Sequence, residues 1–380
     1  MPGQNLLARI DLFAEPEVVL TDSKYWTPGF ARLFIESWDD VSYRDPHAGK
    51  ILAEVAVKLV AHLDKESQEV LGPCARAILG SSYRAIGEFA EASFHLESVL
   101  AEYRAKLLPR LDEASCYRRM AYVRRDQLRY EEAINFAKLN ISLCEAEQAK
   151  HETGRGYAAL GAVYLYMLNR GEVVSKNEPL KSLSQALEYI DPRKSMCSYE
   201  TAIGNLAFAL GLRQPWNTDL ALRHLRNAQR LQAANRISRK TLPGSQLRWM
   251  IALVYQKAGV TGRAVELLKR ARQPIYENGY LCHYIRISLD LCDAYYRLGR
   301  WGSLRAIAEE ILSYQSAMSP EALSALKAWH KAVREQNSDP NIWVRVLEKV
   351  RWGPPQALAQ VRPGQVERPT PRQHSDDQLW

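Results

Sequence analysis

We expect this chain to fold as an all-α solenoid of about seven helix-turn-helix hairpins, because one short residue pattern recurs along most of its length. The pattern starts with a small residue, which recurs at intervals of 41, 40, 43, 48 and 40 residues, at Gly80, Ala121, Gly161, Gly204, Ala252 and Cys292. A tyrosine follows three residues later at Tyr83, Tyr164, Tyr255 and Tyr295, a helix-ending glycine at Gly87, Gly211, Gly259 and Gly299, and a small or aliphatic residue twelve positions on at Ala92, Ala133, Ala264 and Leu304. Small residues let two helices approach closely, and glycine adopts the left-handed conformation that ends a helix. The pattern therefore predicts stacked helical hairpins.

Two helices are expected before the first full copy of the pattern. The first should span about residues 28–41, because apolar residues recur every four positions on one face. These residues are Phe30, Phe34 and Trp38. Asp45 and Pro46 form an N-cap followed by a first-turn proline, which starts the second helix. This pair lacks the glycines, so we interpret it as a divergent or capping hairpin, preceded by a lead-in at residues 1–25.

Two of the later hairpins carry insertions between their helices. In the hairpin that contains Gly161, the second helix is predicted to begin near Pro179, which leaves a long loop after Asn169. Its expected inward residues are Leu183, Ala186, Leu187 and Ile190. In the hairpin that contains Gly204, residues 212–218 precede a helix whose expected buried face is Ala221, Leu225 and Ala228. Long loops in an array are functional or simply tolerated, and both alternatives stay open.

The end of the chain contains two more predicted helices and then a change of composition. Ser319 and the proline after it should start a helix that ends near Gln336, and Asp339 should cap another that closes the core. Five prolines occur in residues 352–380, with few aliphatic residues, which predicts a disordered tail. We therefore divide the chain into the lead-in, a solenoid at residues 26–351 and this tail.

The repeated motifs resemble those of a known family. The best copies read Leu79-Gly80-x-x-Tyr83…Ala92-x-x-x-Leu96, Leu160-Gly161-x-x-Tyr164, Ile251-Ala252-x-x-Tyr255 and Leu291-Cys292-x-x-Tyr295. They are similar to the tetratricopeptide repeat, whose pattern W-x2-L-G-x2-Y…A-x3-F…P recurs about every 34 residues. The resemblance covers roughly residues 70–315, but the period here is longer, as in some bacterial sensor domains, and the closing proline is mostly missing. It implies a right-handed superhelix whose first helices line a concave groove for peptides or proteins, and it implies no chemistry.

The resemblance also selects candidate groove residues on the first helices. These are Arg84, Arg118, Tyr122, Arg125, Arg155, Asn205, Trp249, Tyr296 and Arg297. Arginines and aromatic residues are the types that anchor interfaces, and arginine forms forked hydrogen bonds with carboxylates. An acidic or extended partner segment would fit such a groove. The alternative is that these arginines pair with acids of the chain itself. The family's clamp for acidic C-termini is not expected, because only Asn205 matches its residue set.

The positive charge is concentrated in the solenoid. The chain has a net charge of +8, while residues 1–50 hold five Lys/Arg against eight Asp/Glu and the tail holds three of each. The remaining residues carry 43 basic and 32 acidic groups, a net of +11. No acidic residue occurs between Leu220 and Val265. Within this span, Arg223, Arg226 and Arg230 form one face of a helix, which we call the basic stripe. It is either a solvated outer face or a phosphate-binding surface with salt-sensitive affinity.

Catalytic, cofactor and metal sites are not expected. The eight histidines never fall three or four residues apart, and none belongs to an HExxH motif. The glycines at 154, 156 and 161 follow no predicted strand, so a phosphate-binding loop is not expected. The six cysteines form no CxxC pair, which is typical of reduced thiols in a cytoplasmic protein. No run of apolar residues is long enough to span a membrane.

These observations predict a non-enzymatic binding protein, and three functions stay open. The first is a scaffold or adaptor that holds an acidic or extended protein segment in the groove. The second is a regulatory sensor whose solenoid binds a peptide or small ligand and signals to a partner. The third is binding of nucleic acid through the basic stripe.

Overall fold

The structure, a computed structural model, describes residues 16–105, 109–169, 172, 174–213, 218–234, 242–277, 281–314 and 320–335. Within these ranges the chain forms fifteen α-helices, two short 3-10 turns and no strand, so the all-α prediction is confirmed. The helices are α1 (Pro28–Arg44), α2 (Pro46–Ala61), α3 (Lys65–Ile86), α4 (Phe89–Ala105), α5 (Arg110–Asp126), α6 (Tyr130–Ala146), α7 (Lys150–Asn169), α8 (Asn177–Tyr189), α9 (Met196–Arg213), α10 (Thr218–Ala234), α11 (Leu242–Lys257), α12 (Thr261–Glu277), α13 (Leu281–Arg297), α14 (Trp301–Leu312) and α15 (Pro320–Arg334).

The described helices form seven consecutive hairpins, from α1/α2 to α13/α14, followed by α15 on α14. The first helix of each hairpin also packs against the first helix of the next, through α1, α3, α5, α7, α9, α11 and α13. The first helices therefore make one continuous layer, and the second helices lie outside it. The predicted solenoid of about seven hairpins is confirmed.

Local sequence signals set the start of the two N-terminal helices. Thr27 caps α1 and Asp45 caps α2, each by accepting hydrogen bonds from backbone N–H groups of the first turn. Both predicted helices are present, and α1 extends slightly beyond the predicted end to Arg44. Its expected core residues Phe30, Phe34 and Trp38 are buried. Ahead of α1, a 3-10 turn at Pro16–Leu20 buries Val19 completely against this first hairpin.

The small residues of the first helices make two kinds of contact. A Cβ atom added to Gly161 would lie 2.6 Å from Leu183 Cγ on α8, and one added to Gly80 would lie 3.0 Å from the nearest side chain of α4. At Gly204 the nearest atom would be a methionine methyl of α11 at 3.5 Å, an ordinary contact. The residues twelve positions on are fully buried at Ala92, Ala133, Ala264 and Leu304. Close helix approach therefore requires glycine in some hairpins only.

Three of the four glycines that were expected to end helices do so. They adopt left-handed φ values of 93°, 81° and 66° at Gly87, Gly259 and Gly299. Between α5 and α6, Leu128 takes the same left-handed conformation with φ of 66°. The prediction for Gly211 is wrong, because α9 continues past it to Arg213. Glycine permits the left-handed conformation without enforcing it, and the proline at 215 supplies a stop signal further along.

The helices around the two insertions begin near the predicted positions. The helix α8 starts at Asn177, close to the expected Pro179, and α10 starts at Thr218. Of their predicted inward residues, Leu187 is half-buried and the others are buried, namely Leu183, Ala186 and Ile190 on or after α8, and Ala221, Leu225 and Ala228 on α10. Most of the inserted residues themselves, including 214–217, lie outside the described residues.

At the C-terminal end, α15 starts at Pro320, as its cap signal predicts, and ends at Arg334. The further helix predicted from Asp339 and the tail predicted at residues 352–380 lie outside the described residues.

Candidate ligand-binding channel

First helices from distant parts of the array meet on its inner side. The N-terminal helix α1 contacts α9 and α11 in addition to its chain neighbours α2 and α3. This contact includes a hydrogen bond of 3.3 Å from Tyr43 Oη to Glu200 Oε2, between residues 157 positions apart. Helix α13 likewise brings His283 within electrostatic reach of Arg84 and Asp126. We call the inner side of the array, where these first helices face one another, the channel.

One cluster of predicted groove residues lies on α3 and α5, around Asp126. Arg84 and Arg125 both form ion pairs with this carboxylate, at 2.9 Å and 2.6 Å. The ring of Tyr122 lies beside both guanidinium groups, at 5.4 Å and 5.2 Å from centroid to carbon. Tyr166 of α7 stacks on Arg125 at 4.4 Å. The structure thus brings three predicted residues together, and we call this arrangement the Asp126 cluster.

The charges around the Asp126 cluster are set by burial and by neighbouring ions. Burial opposes ionisation of Asp126, but Arg125 and Arg84 outweigh it and hold the pKa of the carboxyl below its ordinary value. Burial also lowers the pKa of His283 to about 4, with Arg286 adding to the effect and Asp126 opposing it. His283 is therefore neutral at pH 7 and adds no positive charge to this side of the channel.

A second cluster centres on Asp39 of α1. Arg155 of α7 donates a hydrogen bond to Asp39 Oδ2, and Arg119 of α5 lies 3.7 Å from Oδ1. Arg155 also contacts Glu152 at 3.3 Å, and Arg119 lies over the Trp38 ring at 4.8 Å. We call this arrangement the Asp39 cluster. It ties α1, α5 and α7 together through charged groups that are largely withdrawn from water.

The Asp39 cluster is ionised at neutral pH. Burial opposes ionisation of Asp39, yet Arg155, Arg119 and Arg118 together hold the pKa of its carboxyl well below its ordinary value. Burial lowers the pKa of Arg119 to about 10, against the opposing effect of Asp39. Both side chains therefore remain charged at pH 7, and the ion pair persists.

Arg118, another predicted groove residue, lies beside the Asp39 cluster and differs from its neighbours in its contacts. Arg118 is only 6% exposed. Its Nη2 donates a long hydrogen bond of 3.4 Å to Ser115 Oγ, and its Nε has no partner. Within the described residues, no carboxylate oxygen lies within 4.0 Å of its guanidinium group. Its charge nevertheless lowers the pKa values of Asp39 and Glu152, so it lies near both.

The remaining predicted groove residues lie on later helices and join neither cluster. They are Asn205, Trp249, Tyr296 and Arg297. The indole Nε1 of Trp249 donates to Asp290 Oδ2 at 2.7 Å, and Arg297 pairs with Asp293 at 3.0 Å. Asn205 and Tyr296 are half-buried. A shared site for all nine predicted residues stays a prediction.

The acidic partners of these arginines were not selected from the sequence. Asp126 directly follows Arg125 in the sequence, where it only lowers the net positive charge of a segment rich in arginine. Asp39 follows Trp38 on a helix that was interpreted by its apolar face alone. No spacing relates Asp39 to Arg155, 116 positions later, because their contact requires the array to close on itself.

The basic stripe lies on the outer surface of α10. Arg223, Arg226 and Arg230 are exposed, opposite the buried residues Ala221 and Leu225. In the part of the chain that the structure describes, none of the three arginines has a carboxylate within ion-pair distance. The stripe is thus an unneutralised surface, and its use by nucleic acid stays a prediction.

No group of three or more His, Cys, Asp and Glu side chains in the described ranges is arranged to hold a metal ion. None of the described helices combines the length and the apolar character that crossing a bilayer requires. Five cysteines are free thiols, and burial raises the pKa of each; they are Cys74, Cys116, Cys144, Cys197 and Cys292.

No protein-family model and no curated protein matches the sequence. Solved structures share the architecture. A Rap protein in complex with competence and sporulation factor matches with a TM-score of 0.64 and 12% identity, over 86% of this chain and 88% of that chain. The apo form of RapI matches with a TM-score of 0.50 and 13% identity, over 73% and 94%. A signal transduction ATPase with numerous domains, which has a tetratricopeptide repeat sensor and comes from Pyrococcus horikoshii, matches with a TM-score of 0.52 and 14% identity, over 85% of this chain and 47% of its own.

Because the sequence identities are this low, the matches show only the fold. That fold agrees with the repeat pattern of the sequence. Seven hairpins pack in chain order, their first helices form the inner layer, and the small residues lie where the helices meet. The chain is therefore a tetratricopeptide-like helical repeat protein, an α-solenoid of the architecture found in the Rap proteins.

Proposed function

We propose that the protein is a non-enzymatic module that binds an extended, acidic segment of a protein or peptide inside the channel. The observation that carries this proposal is an excess of guanidinium groups over carboxylates. The Asp126 cluster has two arginines and one carboxylate, and the Asp39 cluster together with Arg118 has three arginines and two carboxylates. An acidic segment complements this charge, and the aromatic rings beside the arginines provide contact area.

The architecture supports ligand binding as the role of the channel. The Rap protein of similar fold was solved with competence and sporulation factor bound, and the Pyrococcus horikoshii protein carries its repeats as a sensor. Both are distant in sequence, so they support the use of the fold without indicating the ligand of this chain.

A regulatory sensor is the second candidate, because α1 contacts α9 and α11. A segment that enters the channel would touch α1 together with helices from the far part of the array. Its binding would then be coupled to the position of α1, and any partner of α1 would be affected. An adaptor without this coupling would bind its segment and leave the array unchanged.

The test is selection of random 12-residue displayed peptides on the full chain, followed by calorimetric titration of the selected peptides. We expect enrichment of Asp and Glu, and we expect Arg125→Gln to weaken binding at least about tenfold, or about 1.4 kcal/mol. The Arg223/Arg226/Arg230→Glu variant is the control and should bind normally. Absence of enrichment would contradict the proposal, and loss of binding in the control alone would move the site to the basic stripe.

Small-angle X-ray scattering of the same samples separates the two candidates. A sensor changes its radius of gyration when the selected peptide binds, whereas an adaptor keeps it constant.

A further inference from the structure

Helix α5 carries two adjacent pairs of arginines, Arg118/Arg119 and Arg124/Arg125, and three of these four are neutralised. Arg124, which is 5% exposed, pairs with Glu97 and Glu132. Arg125 and Arg119 pair with acids of the two clusters described above. Arg118 is buried as deeply as Arg124 but has no carboxylate within ion-pair distance among the described residues. A buried guanidinium group without a counter-ion is strongly unfavourable.

The groups around Arg118 do not supply the missing negative charge. Both nearby carboxylates are already shared with Arg155, which pairs with Asp39 and with Glu152. The Cys144 thiol lies within electrostatic reach, but burial raises its pKa to about 11, so it is protonated and neutral at pH 7. Ser115 offers only a long hydrogen bond. One positive charge therefore remains uncompensated at this point of the channel.

The geometry of the guanidinium group indicates which anion would fit. Its Nε–H is fully buried and has no partner, and within the described residues no hydrogen bond involves Nη1. The edge formed by Nη1 and Nη2 carries two parallel N–H donors, which match the two oxygens of a carboxylate. A single excess positive charge is compensated by a monoanion, whereas a dianionic phosphate would leave a negative charge in excess.

We propose that Arg118, flanked by Arg119 and Arg155, is the receptor for one carboxylate of the bound segment. The carboxylate belongs either to an Asp or Glu side chain or to a peptide C-terminus, since both have the same charge and shape. This inference rests on the proposed function and names the chemical group that the channel recognises. Arg118 contributes to this carboxylate contact, whereas Arg124, which is paired with Glu97 and Glu132, contributes to the packing of the array.

The test compares Arg118→Gln with Arg124→Gln, a matched change on the same helix at a similarly buried but paired arginine. The probes are three pools of random pentapeptides: a central Asp with an amidated C-terminus, a central Asn with an amidated C-terminus, and a central Asn with a free C-terminus. Retention of each pool on the full chain is measured by gel filtration and mass spectrometry. Thermal unfolding of each variant is followed in parallel.

We expect the wild-type chain to retain one of the two acidic pools at least about tenfold more than the neutral pool. Which acidic pool is retained distinguishes a side-chain carboxylate from a C-terminal one. Arg118→Gln should abolish this preference without lowering the melting temperature, because it leaves no carboxylate unpaired. Arg124→Gln should keep the preference and lower the melting temperature, because Glu97 and Glu132 lose their partner.

Three results would overturn the carboxylate site. Equal retention of all three pools would refute it while leaving peptide binding itself intact, and this comparison on the wild-type chain needs no variant. A large drop in the melting temperature of Arg118→Gln would show that Arg118 has a structural counter-ion. Retention of no pool, together with no stabilisation of the wild-type chain by acetate, would refute both the site and the proposed function.

Discussion

Glycines at equivalent positions of the repeat have different physical roles. At Gly161, an added Cβ would lie 2.6 Å from Leu183 Cγ and 3.3 Å from the backbone nitrogen of the same residue. Leu183 is completely buried, so it has little room to move away. At Gly204, the nearest atom would be the Met250 methyl at 3.5 Å, which is an ordinary contact distance. The first glycine is required by close packing, and the second is not.

This difference predicts opposite effects of the same substitution. Gly161→Ala should lower the free energy of unfolding by about 1 to 3 kcal/mol, because it overpacks the contact with α8. Gly204→Ala should raise it by up to about 1 kcal/mol, because alanine has the higher helix propensity and meets no obstruction. Urea denaturation followed by circular dichroism measures both. A stabilised Gly161→Ala variant would show that α7 and α8 can separate at no cost.

At the scale of the helices, a residue with a positive φ follows several helix ends, and the type of this residue differs from one end to the next. Gly259 ends α11 with φ of 81° and has no neighbour that an added Cβ would meet within 4 Å. After α6, the exposed side chain of Gln148 stands at a φ of 54°, a conformation that non-glycine residues adopt at a cost. The sequence pattern places no glycine after α6, so this strained end is visible only in the structure.

Exchanging the residue type at these two ends should change stability in opposite directions. Gln148→Gly should raise the free energy of unfolding by about 0.5 to 1 kcal/mol, and Gly259→Ala should lower it by about 1 kcal/mol. Both residues make few side-chain contacts, so backbone strain dominates the result. Differential scanning calorimetry of the two variants beside the wild type tests this, and a destabilised Gln148→Gly variant would contradict the assigned strain.

For the whole molecule, Asp39 is the residue that joins the N-terminal hairpin to the inner faces of α5 and α7. Its carboxylate lies between Arg155 and Arg119, which are 13% and 11% exposed. Removal of this charge would leave two buried guanidinium groups without a shared partner. Asp39 therefore contributes to the closure of the array, in addition to the hydrogen bond from Tyr43 to Glu200.

We expect Asp39→Asn to lower the free energy of unfolding by about 3 kcal/mol, because breaking a buried ion pair leaves an uncompensated charge. It should also raise the radius of gyration measured by small-angle X-ray scattering, since α1 loses its tie to α7. The matched control is Glu266→Gln, which removes the exposed partner of Arg263 and should change stability by less than about 0.5 kcal/mol. Equal effects of the two substitutions would show that the contacts of α1 do not hold the array closed.

Much of the fold was predictable because repeat proteins depend on local contacts. The recurring small residues placed the first helices, the cap signals at Asp45 and before Pro320 agree with helix starts, and Ala92 and Leu304 are buried where the pattern expects them. The candidate groove was predictable in part. Arg84, Tyr122 and Arg125 do lie together, because they occupy equivalent faces of helices that pack side by side.

Residues only a few turns apart were enough to predict the class of fold, the number of hairpins and the helices that carry the arginines. Which arginines are neutralised depends on contacts between helices that are distant in the chain. Asp39 meets Arg155, and Arg118 is left without a counter-ion, because small rotations between successive hairpins accumulate until α1 reaches the far helices. Such an accumulated curvature has no signature in any single repeat, so the charge pattern inside the channel follows from the closed array.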